Sequence, residues 1–155
     1  MTTEEHDARQ LVEDLLERIV AALGLKATVE VTTDGETVTG TVHGNELGLF
    51  IGRHGQTIEA VQHLAYRIAM HRNEGERTRI VIDAEGYRAR REEALHHQAD
   101  QAADEAVRFK RPVALDAMTA SERKLVHEYL RDRGDVETYS EGEEPDRHLV
   151  VAPQS

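Results

Sequence analysis

The sequence has no cysteine, no tryptophan and only three prolines among 155 residues. Without cysteine, disulfides and thiolate metal sites are excluded. No apolar run approaches the length that spans a bilayer. The start, MTTEEHDARQ, lacks the basic and apolar regions of a secretory signal. A cytoplasmic protein with no membrane insertion is therefore the simplest expectation. Aromatic residues amount to 4%, fewer than proteins that grip bases by stacking usually display. Serine occurs only at 121, 140 and 155, never in a nucleophile-elbow context. His127-Glu128 has no second histidine to complete a zinc motif, and His96 with Asp100 lacks a third ligand. An enzyme is not expected, and no metal or cofactor is implied.

Positive charge is also scarce overall, with a net charge of −11. Its distribution is uneven. Residues 52–91 hold eight arginines against five acids, whereas residues 1–18 hold six acids against two arginines. Residues 141–146 carry four acids and no base. A modestly basic middle thus lies between acidic ends, and those ends should repel non-specific polyanions. Arginine outnumbers lysine 16 to 3. A GC-rich genome produces that bias as readily as a need for guanidinium forks on phosphate, so the bias decides nothing.

Two α+β units are expected. In the first, Leu11, Val12, Leu15, Leu16, Ile19, Val20 and Leu23 have helical spacing, closed by Gly24. Alternation over LKATVEVTT and ETVTGTVHG around Asp34-Gly35 predicts a hairpin, with Val38, Gly40 and Val42 on one face. Asn45 is placed to cap a short helix. Ile58, Val61, Leu64, Ala65, Ile68 and Ala69 mark an amphipathic helix ending near Met70 to Asn73, followed by a polar turn from Asn73 to Glu76. TRIVIDAEG reads as a third strand.

Tyr87 to about Phe109 reads as a long polar helix with a weak apolar face at Ala94, Ala102, Ala106 and Val107. Around Pro112 a break leads into a short strand or turn. Thr119-Ala-Ser-Glu122 has capping-box spacing and opens a further helix. DVETYSEGEEPDRHLVVAP then reads as strand, turn, strand. The expected division is 1–85 and 86–155.

The run GLFIGRHGQTIEAVQHL places two glycines around an arginine and a histidine just before a helix. Glycine lets a backbone approach a ligand closely or turn at positive φ. The next helix offers unpaired N–H groups at its positive dipole end, and Arg53 adds charge. Together these make a place for phosphates, although a helix–turn–helix corner needing glycine for geometry is the plain alternative. Neither a Walker A loop nor GxGxxG is present. Further along, Arg123 and His127 stand four apart on one helix face. Both could meet a phosphate, His127 when protonated.

Ile51-Gly-Arg-His-Gly-Gln-Thr-Ile58 resembles the signature of KH domains, and the element order resembles their type II form. The resemblance implies that Gly52, Arg53, His54 and Gly55 clamp the backbone of single-stranded nucleic acid. Ile51 and Ile58 would pack, and Ile80 to Ile82 would wall a groove. SERKLVHEYL with its following strands resembles the domain named for its RxxxH pair, the R-three-H domain. That implies a single-stranded nucleic-acid contact from Arg123, His127 and Lys124, with Arg147 nearby. The fold class implied is thus α+β, a type II KH domain with a three-stranded sheet followed by a small RxxxH-type domain.

The combination resembles the bacterial Jag family, also called KhpB. The resemblance implies single-stranded RNA binding linked to cell elongation, division and envelope homeostasis. It also implies a small KH-only partner of the KhpA type, or self-association. Many members carry a further N-terminal domain, and this sequence starts almost at the KH helix, so that domain's functions are not carried over. Two rivals stand beside RNA binding. One is a protein-interaction module that keeps the KH fold for pairing, which the net charge favours and the intact Gly-Arg-His-Gly opposes. The other is single-stranded DNA binding, since nothing in the sequence identifies a sensor for the 2′-hydroxyl.

Overall fold

The structure, a computed structural model, describes residues 3–72 and 78–155. The polar turn expected from Asn73 to Glu76 lies outside the described residues. The chain forms two compact α+β units, one ending at Arg88 and one beginning at Ala89.

In the first unit, helix α1 (Thr3–Ala22) buries Ala8, Leu11, Val12, Leu16 and Val20. These recur three or four residues apart, so one face of the helix is apolar. Its end is closed by Gly24 at φ +65° and by the Leu25 N–H donating to the Val20 carbonyl at 3.0 Å. Strands β1 (Ala27–Asp34) and β2 (Thr37–Gly44) pair antiparallel with Asp34 opposite Thr37, which leaves a two-residue turn. Val38, Gly40 and Val42 share the buried face of β2. A Cβ on Gly40 would stand 2.7 Å from Leu16, so α1 lies close against the sheet at that glycine.

Strand β3 (Arg79–Ala84) lies parallel to β2, giving the order β1-β2-β3. A parallel neighbour requires a crossover. Here it consists of α2 (Gly48–Ile51), a 3₁₀ turn (Arg53–Gly55) and α3 (Gln56–Arg72). The candidate loop is therefore the middle of that crossover. Asn45 does not cap α2, which begins after Leu47 and has no side-chain cap. The helix is held instead by Leu47 and Phe50, both buried. Burying a side chain such as Phe50 or Ile58 contributes on the order of 2 kcal/mol, so the loop is anchored from beneath on both sides.

In the second unit, helix α4 (Tyr87–Phe109) buries Leu95, Ala99, Ala102, Ala103 and Ala106. This corrects the expected face: Ala94 and Val107 are exposed, and the buried stripe is continuous. It is built mostly of alanine, which brings backbones close without adding much hydropathy. Tyr87, which opens α4 but still belongs to the first unit, packs against that unit's core. Strand β4 (Val113–Ala114) follows, then α5 (Ala120–Leu130), β5 (Val136–Glu141) and β6 (His148–Pro153), with sheet order β4-β6-β5. The capping box forms as expected. The Thr119 hydroxyl accepts from the Glu122 N–H at 3.3 Å, and the Glu122 carboxylate accepts from the Thr119 N–H at 3.2 Å.

Candidate nucleic-acid interface

Gly52 lies at φ +75°, ψ 175°, in a region open essentially to glycine alone. His54 follows at φ +55°, ψ 24°, and Gly55 at φ +76°. Three of four consecutive residues thus have positive φ, which turns the chain sharply between α2 and α3. Crowding adds a second demand for glycine. A Cβ on Gly52 would stand 2.8 Å from the Thr57 nitrogen, and one on Gly55 would stand 2.7 Å from the Tyr87 hydroxyl. Both glycines are therefore required by the turn itself, whatever binds there. What the turn presents is Arg53, exposed, and His54, which is only partly exposed. Ile58 is fully buried and Ile51 partly so, in the packing role expected of them.

Beside the loop, α3 and the edge of β3 enclose a groove of about 440 Å³ lined by Glu59, Gln62, His63, Tyr66, Arg79 and Ile80. Ile80 reaches it, while Ile82 is wholly buried. The edge of β3 is held by side chains that sequence reasoning missed. The Gln62 side chain accepts from the Ile82 N–H at 3.0 Å, and Arg88 Nε donates to the Ile82 carbonyl at 2.6 Å. The remaining Arg88 nitrogens donate to Glu59 at 2.8 Å and Gln62 at 2.7 Å. Pairing with Arg88 offsets the negative charge that Glu59 places in the first turn of α3, where a phosphate would be repelled. No local signal in the sequence gives this away, because the partners lie 26 and 29 residues from Arg88.

In the second unit the RxxxH pair divides. Arg123 is buried at 8% exposure. It donates to the Met118 carbonyl at 2.6 Å and to Glu144 at 2.7 Å. His127, on the same helix, is exposed and bonded through Nδ1 to the Thr138 hydroxyl. Of the two side chains read as able to meet a phosphate, His127 faces solvent and Arg123 does not. Lys124 is exposed, on a shallow groove of about 500 Å³ shared with His96 and Tyr129. Arg147 is partly exposed and donates to the Gly142 carbonyl at 2.7 Å.

The remaining histidine candidates are engaged elsewhere. His96 stacks on Tyr129 with ring centroids 3.9 Å apart, and Asp100 accepts from the Tyr129 hydroxyl at 2.8 Å. That hydrogen bond, with smaller contributions from desolvation and the Asp100 charge, raises the Tyr129 pKa above its ordinary value. Among the described residues no group of three or more His, Asp or Glu is placed to hold a metal ion. Nor is any helix among them long and apolar enough to cross a membrane.

Comparison with known proteins agrees with both halves of this geometry. The profile of the KhpA/KhpB KH domain matches residues 9–82, and that of the R-three-H domain matches residues 93–153. The helix–strand–strand–helix–helix–strand order, with β3 parallel to β2, is the type II arrangement expected for the first. The RNA-binding protein KhpB of Bacillus subtilis (strain 168) is 34% identical over 96% of this chain and 72% of its own length. That of Lactiplantibacillus plantarum is 37% identical over 90% of this chain and 43% of its own length. That of Clostridium symbiosum is 31% identical over 90% and 63%. The chain therefore spans between about two fifths and three quarters of these relatives, which are named for binding and not for a catalysed reaction. Since the likeness runs through both units in the same order and covers most of the Bacillus subtilis protein, the chain belongs to the KhpB family.

Proposed function

We propose that the chain binds single-stranded RNA, with the Gly52–Gly55 turn holding the sugar-phosphate backbone and bases entering the groove between α3 and β3. The observation that carries this reading is the turn itself. Positive φ at Gly52, His54 and Gly55 leaves Arg53 projecting at the N-terminal end of the 17-residue helix α3, where unpaired N–H groups and the helix dipole favour an anion. In the second unit, Lys124 and His127 supply the exposed contacts. Arg123 acts from within, by holding the Met118 carbonyl and Glu144. RNA in preference to DNA follows from the names of the relatives. Regulation of transcripts for cell elongation and envelope homeostasis, in the cytoplasm, is the setting the family suggests.

The test is fluorescence anisotropy with a labelled single-stranded RNA of about 15 nucleotides, enough for more than one site. Wild type is compared with the Arg53→Asp/His54→Asp variant across a salt series. The log–log slope should be about −0.7 for each neutralised phosphate, and the variant should lose binding. Equal binding by both proteins would remove the turn from the site.

A second reading is supported by exposed apolar surface. Leu49, on α2 beside the turn, is 66% exposed, and Leu64 on α3 is 46% exposed. In this reading the KH unit pairs with a small KhpA-like KH protein or with a second copy. Analytical ultracentrifugation of wild type and Leu49→Asp, alone and with such a partner, tests it. Unchanged sedimentation throughout would refute it.

A further inference from the structure

We propose that the C-terminal end of α4 is a separate contact for single-stranded RNA, in which Phe109 stacks on an unpaired base and Arg108, Lys110 and Arg111 hold the adjoining phosphates. The inference rests on the reading of the chain as an RNA binder and adds a site within the R-three-H match but away from both the Gly52–Gly55 turn and the Arg123–His127 pair.

In an acidic chain, residues 106–115 contain three cations and no acid. Phe109 sits among them, 56% exposed, although phenylalanine is normally an interior residue. The guanidinium carbons of Arg108 and Arg111 lie 5.3 and 5.5 Å from its ring centroid, within cation–π range. Guanidinium groups lying over an exposed ring make the kind of surface on which unpaired bases stack. Arg111 also pairs with Glu105 at 2.9 Å, so Arg108 and Lys110 carry the excess charge.

The backbone points the same way. Helix α4 closes with the Arg111 N–H donating to the Ala106 carbonyl at 3.2 Å, which places Lys110 at the left-handed position after the helix, with φ +51°. Glycine is the unstrained residue there. Cations near a helix C-terminus do interact favourably with its dipole. That effect falls off within a turn, requires no exposed phenylalanine, and would be served without strain by Lys or Arg one turn earlier. A residue held in a disfavoured conformation beside an exposed ring is better explained by a ligand. A lipid surface fits less well, because an interfacial helix needs a broad apolar face and Val107 alone accompanies Phe109 among the large exposed apolar side chains of this helix.

The experiment titrates the full chain against labelled single-stranded RNA, using wild type, Phe109→Ala, Phe109→Trp and Lys110→Gly, with duplex RNA as comparison. Phe109→Ala should lose roughly tenfold to a hundredfold in affinity for the single strand and little for the duplex, whereas Phe109→Trp should retain it. Lys110→Gly should melt at a higher temperature than wild type yet bind more weakly, with its salt slope reduced by about 0.7. A purely structural residue would move stability and binding in the same direction. Wild-type affinity in both Phe109→Ala and Lys110→Gly, with Arg53→Asp/His54→Asp still defective, would overturn the contact and leave the RNA reading intact. Wild-type RNA affinity combined with lost adsorption to phosphatidylserine vesicles would assign the patch to a membrane surface instead. Failure of wild type to bind RNA at low salt would overturn both readings together.

Discussion

The backbone nitrogen of Thr57 lies 2.8 Å from the point where a Cβ on Gly52 would stand, and the Thr57 side chain also crowds that point. Gly52 is thus excluded from substitution both by its neighbour and by its own φ of +75°. Gly52→Ala should lower stability by about 2 kcal/mol or more, combining backbone strain with overlap. The residues between the glycines should behave differently. His54 occupies the left-handed region, which aspartate adopts several-fold more readily than most residues, and Arg53 is exposed. Arg53→Asp/His54→Asp should therefore unfold within about 0.5 kcal/mol of wild type. Urea denaturation of the two variants checks this, and a double variant as unstable as Gly52→Ala would make the turn's side chains structural.

Arg123 and His127 share a helix, but one faces inward and the other outward. Arg123→Ala would leave the Met118 carbonyl without its charged donor and Glu144 without its partner. The loss should be about 1.5–3 kcal/mol, the range for hydrogen bonds to charged groups. His127→Ala should cost less than about 1 kcal/mol, yet weaken RNA binding in the folded protein. Urea midpoints measured alongside anisotropy separate the two effects. Equal stability losses would contradict the division of the pair.

Arg88 ties three groups at the edge of β3 through separate nitrogens: the Ile82 carbonyl, Glu59 and Gln62. Its removal would free an edge strand and leave the Glu59 charge unpaired beside the proposed phosphate site. Arg88→Ala should destabilise the first unit by roughly 2–4 kcal/mol. It should also speed amide exchange at Ile82, whose N–H is bonded to a Gln62 side chain that Arg88 also holds. Exchange at Ile82 as slow as in wild type would show that Gln62 protects the edge alone.

Local patterns carried much of this architecture. The strands around Asp34-Gly35, the amphipathic α3 and the Thr119 capping box all follow from spacing over a few residues, and so does the turn at Gly52–Gly55. What escaped depends on pairing across distance. The parallel join of β2 to β3 brings Val38 opposite Ile80, and no local period encodes that. The Arg88 contacts reach back to α3. Helical spacing places Arg123 and His127 on one face without saying which of them the fold covers. On α4, Ala102 and Ala106 lie in the expected buried stripe but Ala94 and Val107 do not, because alanine contributes so little apolar contrast. The cap assigned to Asn45 failed because buried Leu47 and Phe50 fix where α2 starts.

Tyr129, Asp100, Arg133 and Asp135 should give the second unit opposite responses to acid and alkali. The Tyr129 pKa is raised above 10.0, chiefly by its hydrogen bond to Asp100, while the Arg133 charge opposes the rise. Because the folded state holds the phenol proton more tightly, the contribution is complete below the ordinary tyrosine value and is lost as pH rises through the folded value. Asp135 is the reverse case. Its carboxyl is held below 3.8, first by the hydrogen bond from Arg133, so its contribution is present above that value and is lost as pH falls through the lower folded one. Arg133 stays charged throughout, its own pKa raised by Asp135 and then Asp104. Asp100→Asn should move the tyrosine titration, read by phenolate absorbance, towards its ordinary position and leave the acid limb of the melting profile unchanged. Arg133→Ala should abolish the Asp135 contribution on the acid side and, since an opposing positive charge is gone, raise Tyr129 further and so deepen the loss of stability on the alkaline side. A tyrosine titration that falls in Arg133→Ala, or stays fixed in Asp100→Asn, would contradict the assigned causes.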